Sequence, residues 1–391
     1  MEFLLHGHEF NLKGANRGFF TTRLRDNLGV LLAGCGCRVG MRGLGLVVEC
    51  PPESATEVRG RLAGALGVQT LIAGERAEPT VEAIAPMALA AIAAQAGDTF
   101  ALEVLRPDKA LPLGSYEVAV AVGRHIQEQL GLRVDLKHAA RRCTIVLSRA
   151  GALVSRGAES GPGGMPAGTA GRMLALLSSG FDSPVAAFRL IRRGARVALL
   201  HFYAAAPAGQ GTSIAAVEAL ALQLTRYQLH SRLYICPFLP VQQAIVAAAP
   251  SRLRVLLYRR LMLRIGSALA ETIHAHGLIT GDSLAQVASQ TVLNLEAVST
   301  AAALPIYRPL IGDDKTAIQA EARRIGTYTA SSEQTDDCCS AFMPRGPALA
   351  STPAELGQAE GALPIEELVR AALAGIATQR FALRDGAPTP V

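Results

Sequence analysis

The chain has 391 residues, of which 50% are hydrophobic and 18% are charged. These values exclude an intrinsically disordered protein, and the length favours two or three domains over a single core. The formal net charge is +6, and only four of the 38 basic residues are lysines. The surplus is therefore arginine, whose forked donors suit phosphate groups, although an arginine-rich composition gives the same excess without any nucleic-acid partner.

The sequence shows neither a membrane span nor a secretory signal. The most apolar stretch outside the expected core strands, residues 83–96, is interrupted by Pro86 and is shorter than the roughly 20 apolar residues that a span requires. The first six residues contain no basic stretch before a long apolar region. We therefore expect a cytoplasmic protein that does not contact a membrane.

The seven cysteines are thinly spread, unlike those of a disulfide-stapled secreted domain. They are expected to be mostly free thiols. No Cys-x-x-Cys occurs, so we expect no iron–sulfur cluster. The Cys35-Gly36-Cys37 motif is too compact and isolated to indicate a zinc site, and we interpret it as structural.

Short strand-like and helix-like stretches alternate before residue 157. Helices are predicted at 19–32, 55–66 and 116–130, and strands at 44–50, 99–105 and 143–147. This mixture predicts small α+β units. A glycine- and proline-rich stretch then predicts a linker at 157–172.

Beyond the linker, apolar strand runs alternate with longer amphipathic stretches. Strands are predicted at 173–177, 197–202 and 232–236, and helices at 184–193, 214–229 and 253–274. This β-α-β-α-β order predicts an α/β fold with a doubly wound parallel sheet and helices on both faces. The residues beyond 347 contain one helix-like run, 365–378, and are interpreted as a C-terminal tail.

The loop Ser-Ser-Gly-Phe-Asp-Ser, residues 178–183, follows a buried strand and opens a helix. Ser183 is a predicted N-cap, and Pro184 suits the first helical position. Small residues let backbone N–H groups approach an anion, and the helix N-terminus adds the positive end of its dipole. The loop therefore predicts phosphate binding, whereas the alternative is an ordinary Ser/Gly turn between strand and helix.

A carboxylate in this loop would repel phosphate unless a cation lay between them. Asp182 therefore predicts a Mg²⁺ bridge to pyrophosphate, or a capping role if the loop binds nothing. The loop lacks the Gly-Lys-Ser/Thr of a Walker A motif and the Gly-x-Gly-x-x-Gly of a dinucleotide site.

The loop resembles the SGGxDS signature of the PP-loop ATP pyrophosphatase superfamily. Between residues 176 and 345, several segments are similar to the tRNA 4-thiouridine synthetase (tRNA sulfurtransferase) family in order and spacing. These segments are LLSSGFDSPVAAFRLIRRG, HFY, TGDSLAQVASQT, RPLIGDDK, RRIGTY and DDCCSAFMPR. Earlier in the chain, LKGANRGFF at 12–20 resembles the family's ferredoxin-like domain. RPDKALPLGSYEV at 106–118 and LRVDLKH at 132–138 resemble its RNA-binding THUMP domain.

The resemblance implies a domain order, with two departures in sequence. It predicts a ferredoxin-like domain at 1–55, a THUMP domain at 56–156, the linker at 157–172, a PP-loop domain at 173–347 and the tail at 348–391. The family's second loop glycine is Ser179 here, which would weaken phosphate binding if that position needs a positive φ. The family's Tyr-Gly-Glu is replaced by His-Gly-His-Glu at residues 6–9.

The resemblance also implies ATP contacts at strand ends and on one helix. They are Leu176, Leu177, Ser178, Ser179, Gly180, Ser183, His201, Phe202, Arg259, Gly281 and Gln290. From the residues alone, His201 is equally well interpreted as a buried imidazole with satisfied nitrogens, and Arg259 as a solvated helix charge. Gln286 and Gln290 are four apart, which predicts that they share a helix face. Contacts to tRNA are predicted for Lys109, Lys137, Arg141 and Arg142.

The resemblance assigns sulfur transfer to Cys338 or Cys339, and the sequence does not say which one carries the persulfide. A persulfide carrier must be an accessible cysteine whose pKa neighbouring charges can lower. Asp336 and Asp337 would raise the thiol pKa and Arg345 would oppose them. The alternative is a pair of ordinary loop cysteines.

The implied function is ATP-dependent thiolation of a tRNA uridine, the one at position eight, to 4-thiouridine. Many family members carry a C-terminal rhodanese domain that supplies sulfur; because this sequence ends without one, we expect a separate cysteine desulfurase as the donor. The family precedent of a homodimer applies here only as a precedent. Three alternatives stay open: another PP-loop adenylating or thiolating enzyme, a tRNA-binding protein with a decayed ATP site, and an ATP-sensing regulatory domain.

Overall fold

The structure is a computed structural model that describes most of the chain. The described residues are 1–7, 9, 14–42, 45–107, 111–149, 151–204, 213–332 and 346–391. The chain divides into two compact units, residues 1–166 and 167–391. This division falls within the predicted linker. No helix in the described ranges is long and apolar enough to cross a membrane.

The first unit is built on an eight-stranded sheet. Its helices are α1 (Arg17–Leu31), α2 (Ala55–Leu62), α3 (Val81–Ala93) and α4 (Ser115–Leu130), with 3₁₀ turns at Gly14–Asn16 and Pro52–Ser54. Its strands are β1 (Glu2–His6), β2 (Arg38–Arg42), β3 (Gly45–Glu49), β4 (Thr70–Ala77), β5 (Thr99–Leu105), β6 (Arg133–Val134), β7 (Arg141–Ser148) and β8 (Gly151–Ser160). The strand order is β2-β3-β1-β4-β8-β7-β5-β6.

The sheet of the first unit is continuous across the domain boundary predicted at residue 55. Strand β1 pairs antiparallel with both β3 and β4, while β5 runs parallel to β6 and β7. Helices α3 and α4 cover one part of the sheet with an apolar core. In α4 the buried residues Val118, Val122 and Ile126 recur every four positions, which explains why its boundaries were predictable.

Residues 157–160, assigned to the linker from their composition, continue β8, and residues 158–160 pair with β4. The linker prediction was therefore wrong for these four residues. Gly157 has a φ of +136°, a conformation that glycine adopts without steric cost, and it lies where the register between the two strands shifts. Strand pairing here prevails over local composition.

The second unit contains a seven-stranded sheet. Its helices are α5 (Asp182–Arg192), α6 (Ser213–Gln228), α7 (Leu239–Ala248), α8 (Arg254–Thr272), α9 (Val292–Ser299), α10 (Lys315–Ile325), α11 (Tyr328–Ser332), α12 (Pro353–Glu360) and α13 (Ile365–Ala374), with 3₁₀ turns at Ser251–Leu253 and Ala288–Gln290. Its strands are β9 (Arg172–Leu176), β10 (Arg196–Tyr203), β11 (His230–Pro237), β12 (Leu278–Ile279), β13 (Ile306–Tyr307), β14 (Ala377–Arg384) and β15 (Ala387–Pro390). The strand order is β13-β12-β9-β10-β11-β14-β15.

The five consecutive strands from β13 to β11 in this order are parallel, as expected for a doubly wound fold. Helices α7 and α8 pack on one face, where Leu174, Leu200 and Phe202 are buried, and α5 and α6 pack against the strands from the other side. Because both faces are covered, these strands have nearly continuous apolar sequences.

The stretch interpreted as a C-terminal tail belongs to this folded unit. Strand β14 pairs antiparallel with β11, and β15 extends the edge. Helix α12 is fixed to α8 by Glu360, which accepts bidentate hydrogen bonds of 2.8 and 2.7 Å from Arg260 and a third, of 2.8 Å, from Arg264. The predicted helix-like run 365–378 is a helix only to Ala374, because the following residues join the sheet.

Candidate active site

The loop at 178–183 is closed by its two end serines. The Ser183 hydroxyl accepts a 2.9 Å hydrogen bond from the Ser178 backbone N–H, lies 3.1 Å from the Ser178 hydroxyl and donates to the Ser178 carbonyl oxygen over 3.2 Å. Helix α5 therefore begins at Asp182 with Phe181 as its N-cap residue, and the predicted helix start at Ser183 and Pro184 was wrong. The Ser183 side chain shapes the loop and does not cap the helix.

Ser179 occupies the family's glycine position without a left-handed backbone. In the described part of the chain, the non-glycine residues with positive φ are Leu229, His274, Ala285 and Asp385. The side chain of Ser179 is buried. Position 179 therefore does not need a positive φ in this structure, and the weaker phosphate binding that a strained serine would cause is not expected.

Gly281 lies directly against the start of α5. A Cβ at this position would lie 2.7 Å from the Ser183 backbone nitrogen, closer than real Cβ atoms approach backbone. A glycine is therefore needed for the segment after β12 to pack beside the loop, and this close packing forms one wall of a cavity.

The cavity has a volume of about 350 Å³ and opens at the carboxyl ends of β9 and β12. Its lining includes seven predicted site residues: Leu176, Ser178, Asp182, Ser183, Arg259, Gly281 and Gln290. The other lining residues are Val255, Met262, Leu263, Thr280, Asp282, Val287, Ala288, Ser289, Val298, Arg308 and Pro347. This position, at the strand ends of an open α/β sheet, is where such folds bind ligands.

Asp282 is the centre of the polar wall of the cavity. One carboxylate oxygen accepts hydrogen bonds from Thr280, at 2.7 Å, and from Arg308 Nε, at 3.0 Å. The other accepts from Arg259 Nη2 and, at 3.4 Å, from Gln290 Nε2. Burial alone would raise the pKa of Asp282, but the charge of Arg259, the Thr280 hydrogen bond and the charge of Arg308 together lower it. Asp282 is therefore a buried anion that fixes two guanidinium groups.

The pKa of the Asp182 carboxyl group is shifted in the opposite direction to that of Asp282. Burial raises the pKa of its carboxyl group, a hydrogen bond from Gln286 and the charge of Lys315 oppose that shift, and the negative charge of Asp282 adds to it. The Gln286 Nε2 atom lies 3.2 Å from Asp182 Oδ2. The carboxylate is thus poorly compensated, so a cation brought near it would be attracted.

Gln290 offers an unused acceptor to the cavity. Its Oε1 atom is buried and has no hydrogen-bond partner among the described residues. A buried amide oxygen without a partner is costly, and a ligand donor would satisfy it. The predicted shared helix for Gln286 and Gln290 was wrong: Ala285, with a φ of +61°, turns the chain, and only Ala288–Gln290 is helical.

His201 and Phe202 do not line this cavity. Both ring nitrogens of His201 lie 2.9 Å from partners, Nδ1 from the Leu177 carbonyl oxygen and Nε2 from the Ser213 hydroxyl, and the residue is only 1% exposed. Phe202 packs against Phe238 with ring centroids 5.1 Å apart. The structure thus agrees with the interpretation of His201 as a satisfied buried imidazole that orders the strand ends, and its contact to ATP stays a prediction.

The predicted sulfur-carrying residues Cys338 and Cys339 lie outside the described residues, as does Lys109. Helix α11, which precedes that segment, contacts the loop: the Ser331 hydroxyl lies 3.3 Å from the Gly180 carbonyl oxygen, and Tyr328 packs on Phe181 with ring centroids 5.0 Å apart. Beyond the segment, Pro347 lines the cavity. The described residues on both sides of it are therefore next to the loop or the cavity.

The predicted tRNA contacts divide into two kinds. Arg141 donates to the carbonyl oxygens of Gly97, at 2.8 Å, and Ile92, at 3.3 Å, so its guanidinium supports the C-terminal end of α3. Lys137 and Arg142 are exposed, and Arg142 donates to the Lys137 carbonyl oxygen over 2.9 Å. Of the three predicted contacts that lie among the described residues, Lys137 and Arg142 are the exposed ones.

Sequence reasoning assigned no site role to Asp282, Arg308 or Lys315. A signal was present, because Arg308 follows β13 directly and Asp282 follows β12 by three residues, and polar residues at strand ends of such sheets commonly face the ligand. Lys315 begins α10, and its distance in sequence from Asp182 hid their proximity.

Family models match both halves of the chain. The ThiI family model, described as a thiamine biosynthesis protein, matches residues 168–365, and the THUMP domain model matches 78–155. A probable tRNA sulfurtransferase of Thermus thermophilus is 43% identical over 94% of this chain and 90% of its own length. A probable tRNA sulfurtransferase of Nocardia farcinica is 37% identical over 93% of this chain and 90% of its own.

Solved structures are similar as well. A 4-thiouridine synthetase in complex with RNA and bound ATP superposes with a TM-score of 0.88 at 27% identity, covering 97% of this chain and 99% of that one. PH1313 from Pyrococcus horikoshii superposes with a TM-score of 0.64 at 21% identity, over 83% of this chain and 99% of that one, which shows a shared fold.

Proposed function

Because the chain belongs to the ThiI family of tRNA sulfurtransferases, we propose that it converts the uridine at position eight of tRNA to 4-thiouridine with the cavity beside residues 178–183 as its ATP site. The chain is an ATP-dependent tRNA sulfurtransferase with a THUMP domain. The main support for the ATP site is the polar wall of the cavity around Asp282. There, two guanidinium groups and an amide oxygen without a hydrogen-bond partner among the described residues face the cavity, next to the start of a helix.

In this proposal, the loop and its helix bind the pyrophosphate part of ATP. The backbone of Ser179, the Ser178 hydroxyl and the N-terminus of α5 supply donors and a positive dipole end, while the Ser178 backbone N–H holds the Ser183 hydroxyl. Arg259 and Arg308 supply charge, while Leu176 and Met262 contribute apolar surface beside the nucleoside. A supporting role, which is to hold the loop and the strand ends in position, is assigned to the remaining predicted residues Leu177, Gly180, His201 and Phe202.

Mg²⁺ fits the site as a partner of ATP and not as a resident of a protein cage. Among the described residues, no group of three His, Cys, Asp or Glu side chains could hold a metal ion. Mg²⁺ commonly binds through one or two carboxylates together with substrate phosphates, so Asp182 would hold it. When bound there, the ion would neutralise phosphate charge. The poorly compensated carboxylate of Asp182 supports this assignment.

The chemistry is proposed in three balanced steps. The O4 atom of the uridine attacks the α-phosphorus of ATP, and pyrophosphate leaves. The terminal sulfur of a persulfide on Cys338 or Cys339 then attacks C4, and AMP leaves with the former O4 oxygen, so that a disulfide joins the cysteine to C4. A low-molecular-mass thiol attacks the cysteine sulfur, the S–S bond breaks and 4-thiouridine is released; a second thiol then reduces the mixed disulfide left on the cysteine. In support, α11 packs on the loop just before the cysteine segment, and Pro347 lines the cavity just after it.

The partners beyond ATP and tRNA are part of the same proposal. We propose a cysteine desulfurase as the sulfur donor, a homodimer, and a cytoplasmic location, because tRNA is made and used there. Lys137 and Arg142 are proposed to contact tRNA phosphates, with Lys109 as a third cation, whereas Arg141 supports α3. Salt dependence of tRNA binding tests this: Lys137→Ala and Arg142→Ala should each reduce the salt slope, by about one unit per lost phosphate contact.

The decisive experiment separates adenylation from sulfur transfer. Asp182→Ala should abolish pyrophosphate release with tRNA present, while Cys338→Ser and Cys339→Ser should spare it, and one of the two should lose 4-thiouridine formation. Asp313→Ala, which removes an acidic residue outside the cavity lining, is the control. An Asp182→Ala protein that still releases pyrophosphate would overturn the site assignment.

The description of the ThiI family model favours a second candidate, sulfur supply for thiamine biosynthesis. The same persulfide would then go to a small acceptor in place of tRNA. The two functions separate in a strain that lacks the gene: loss of 4-thiouridine from bulk tRNA supports the first, and a thiamine requirement supports the second. The THUMP match favours tRNA.

A further inference from the structure

We propose that Cys37 and Cys50 form a reversible cross-strand disulfide, a modification site that takes its oxidising equivalents from disulfides of low-molecular-mass thiols. These two residues belong to the first unit and play no part in the adenylation site. The Cys35-Gly36-Cys37 motif was interpreted as structural from the sequence, and the fold gives one of its thiols a partner that the sequence did not show.

The strand register brings Cys37 and Cys50 face to face. Strands β2 and β3 pair antiparallel with Arg38 opposite Glu49 and Val39 opposite Val48. One step further along this register places Cys37 opposite Cys50. Directly opposed residues of an antiparallel pair have Cβ atoms about 4.5–5.5 Å apart, close to the roughly 3.5–4.5 Å that a disulfide needs. The remaining gap is within the reach of small movements at the end of a ladder.

The side chains agree with the register. Cys37 and Cys50 are both free thiols, and they lie close enough for each to influence the pKa of the other. The backbone N–H of Cys50 donates to the Met1 carbonyl oxygen over 3.1 Å, which fixes its position on the sheet. The two sulfur atoms are therefore already neighbours in the reduced protein.

The two thiols differ in solvent exposure, and this difference determines which one reacts first with an external disulfide. Cys50 is 7% exposed, whereas Cys37 is half-buried, so an external disulfide meets Cys37 first. Burial raises the pKa of the Cys37 thiol to about 11, and burial also raises the pKa of Cys50. Thiolate is therefore scarce at neutral pH, so exchange with an external disulfide is expected to be slow.

Cys35 lies close enough to act on both thiols electrostatically, yet it is not the partner. Cys35 is 3% exposed, and its carbonyl oxygen accepts a 3.7 Å hydrogen bond from the Cys37 thiol. The register places no residue of β3 opposite its side chain, because the chain turns at Gly36, whose φ is +67°. Cys35 is thus the natural control position.

The reaction balances as two thiol–disulfide exchanges. The Cys37 thiolate attacks one sulfur of the external disulfide, forming a mixed disulfide and releasing one thiol. The Cys50 thiolate then attacks the Cys37 sulfur, forming the Cys37–Cys50 bond and releasing a second thiol. The two cysteine protons pass to the two released thiols, the cysteines are oxidised, and the external disulfide is reduced.

Peptide mapping of the full chain tests this proposal. The reduced protein is incubated with oxidised glutathione, blocked with N-ethylmaleimide and digested with trypsin without reduction. We expect a disulfide-linked pair of peptides 26–38 and 43–59. The link should persist in Cys35→Ala, vanish in Cys37→Ala and Cys50→Ala, be unchanged in Cys143→Ala, and disappear on treatment with dithiothreitol.

Three outcomes would overturn the proposal. These are a stable glutathione adduct on Cys37 without a peptide link, a link that depends on Cys35, and complete maleimide labelling of both cysteines after oxidation. Melting curves of the single variants, recorded in reductant, show that a missing link does not reflect a misfolded first unit.

Discussion

Arg308 Nε donates a 3.0 Å hydrogen bond to the Asp282 carboxylate that also receives Arg259. Arg308 comes from the end of β13 and Arg259 from α8, so a single buried anion aligns cations from two elements at one cavity. The Nη2 atom of Arg308 is held by the Ser299 hydroxyl at 2.7 Å. Asp282 thus sets the positions of both guanidinium groups before a ligand arrives, which lowers the entropy that binding must cost.

Arg308→Ala should weaken ATP use. A hydrogen bond to a charged group contributes about 1.5–3 kcal/mol, which corresponds to a roughly ten- to hundredfold rise in the KM for ATP. The KM is obtained from the rate of pyrophosphate release at varied ATP concentrations. Arg252→Ala, which removes an exposed arginine paired with Glu355, should leave KM unchanged. An unchanged KM in Arg308→Ala would mean that Arg308 only supports Asp282.

Asp182→Asn should be inactive in adenylation yet more stable than the wild type at neutral pH. Burial raises the pKa of the Asp182 carboxyl, so the folded protein binds this proton more readily than the unfolded chain, whose pKa is about 3.9. The destabilisation is fully present above the folded pKa and is relieved as pH falls through it. Melting temperatures across pH should therefore converge at low pH.

For the matched variant Asp282→Asn, we expect a change in stability at neutral pH opposite to that of Asp182→Asn. Burial raises the pKa of the Asp282 carboxyl group, but Arg259, Thr280 and Arg308 lower it by more, so the net shift is downward. Its contribution to stability is present above the unfolded pKa and is lost as pH falls through the folded pKa. The variant should melt below the wild type at neutral pH and approach it in acid. If both variants shifted in the same direction, the assignment of the one that departs from its expected sign would be contradicted.

Restoring the family's glycine at position 179 should not improve the enzyme. Ser179 has no positive φ and its side chain is buried, so Ser179→Gly adds unfolded-state entropy and removes packing; we expect a loss of about 0.5–1 kcal/mol and no gain in pyrophosphate release. Ala285→Gly is the control, because its φ is +61°, and it should stabilise the protein slightly. Chemical denaturation measures both.

Glu360→Ala should be among the most destabilising single changes in the second unit. It leaves Arg260, which is 4% exposed, without its carboxylate, and breaking such a buried pair costs about 3–5 kcal/mol. Glu355→Ala on the same helix removes a partner of Arg252 at the surface and should cost about 1 kcal/mol or less. Equal losses in urea denaturation would show that α12 does not depend on the buried pair.

The sequence was sufficient for features that depend on local pattern. The alternation of apolar strands and amphipathic helices predicted the doubly wound sheet, and the order of several short segments predicted the family that the comparisons confirm. Helix boundaries were predictable where the apolar period was clear, as in α4. They were missed at Ser183, because its hydroxyl turns back to Ser178, and at 286–290, because Ala285 turns the chain.

The loop at 178–183 by itself predicted only an anion site, since strand, small residues and helix start are neighbours in sequence. Tertiary structure decided what surrounds it: Gly281 packs on its helix, and Asp282 gathers Arg259 and Arg308 from distant parts of the chain. The register of β2 and β3 likewise puts Cys50, and not Cys35, in the position opposite Cys37, one step beyond the Arg38–Glu49 pair. Periodicity determines which face of an element is apolar, but strand order and register determine which charges and thiols meet.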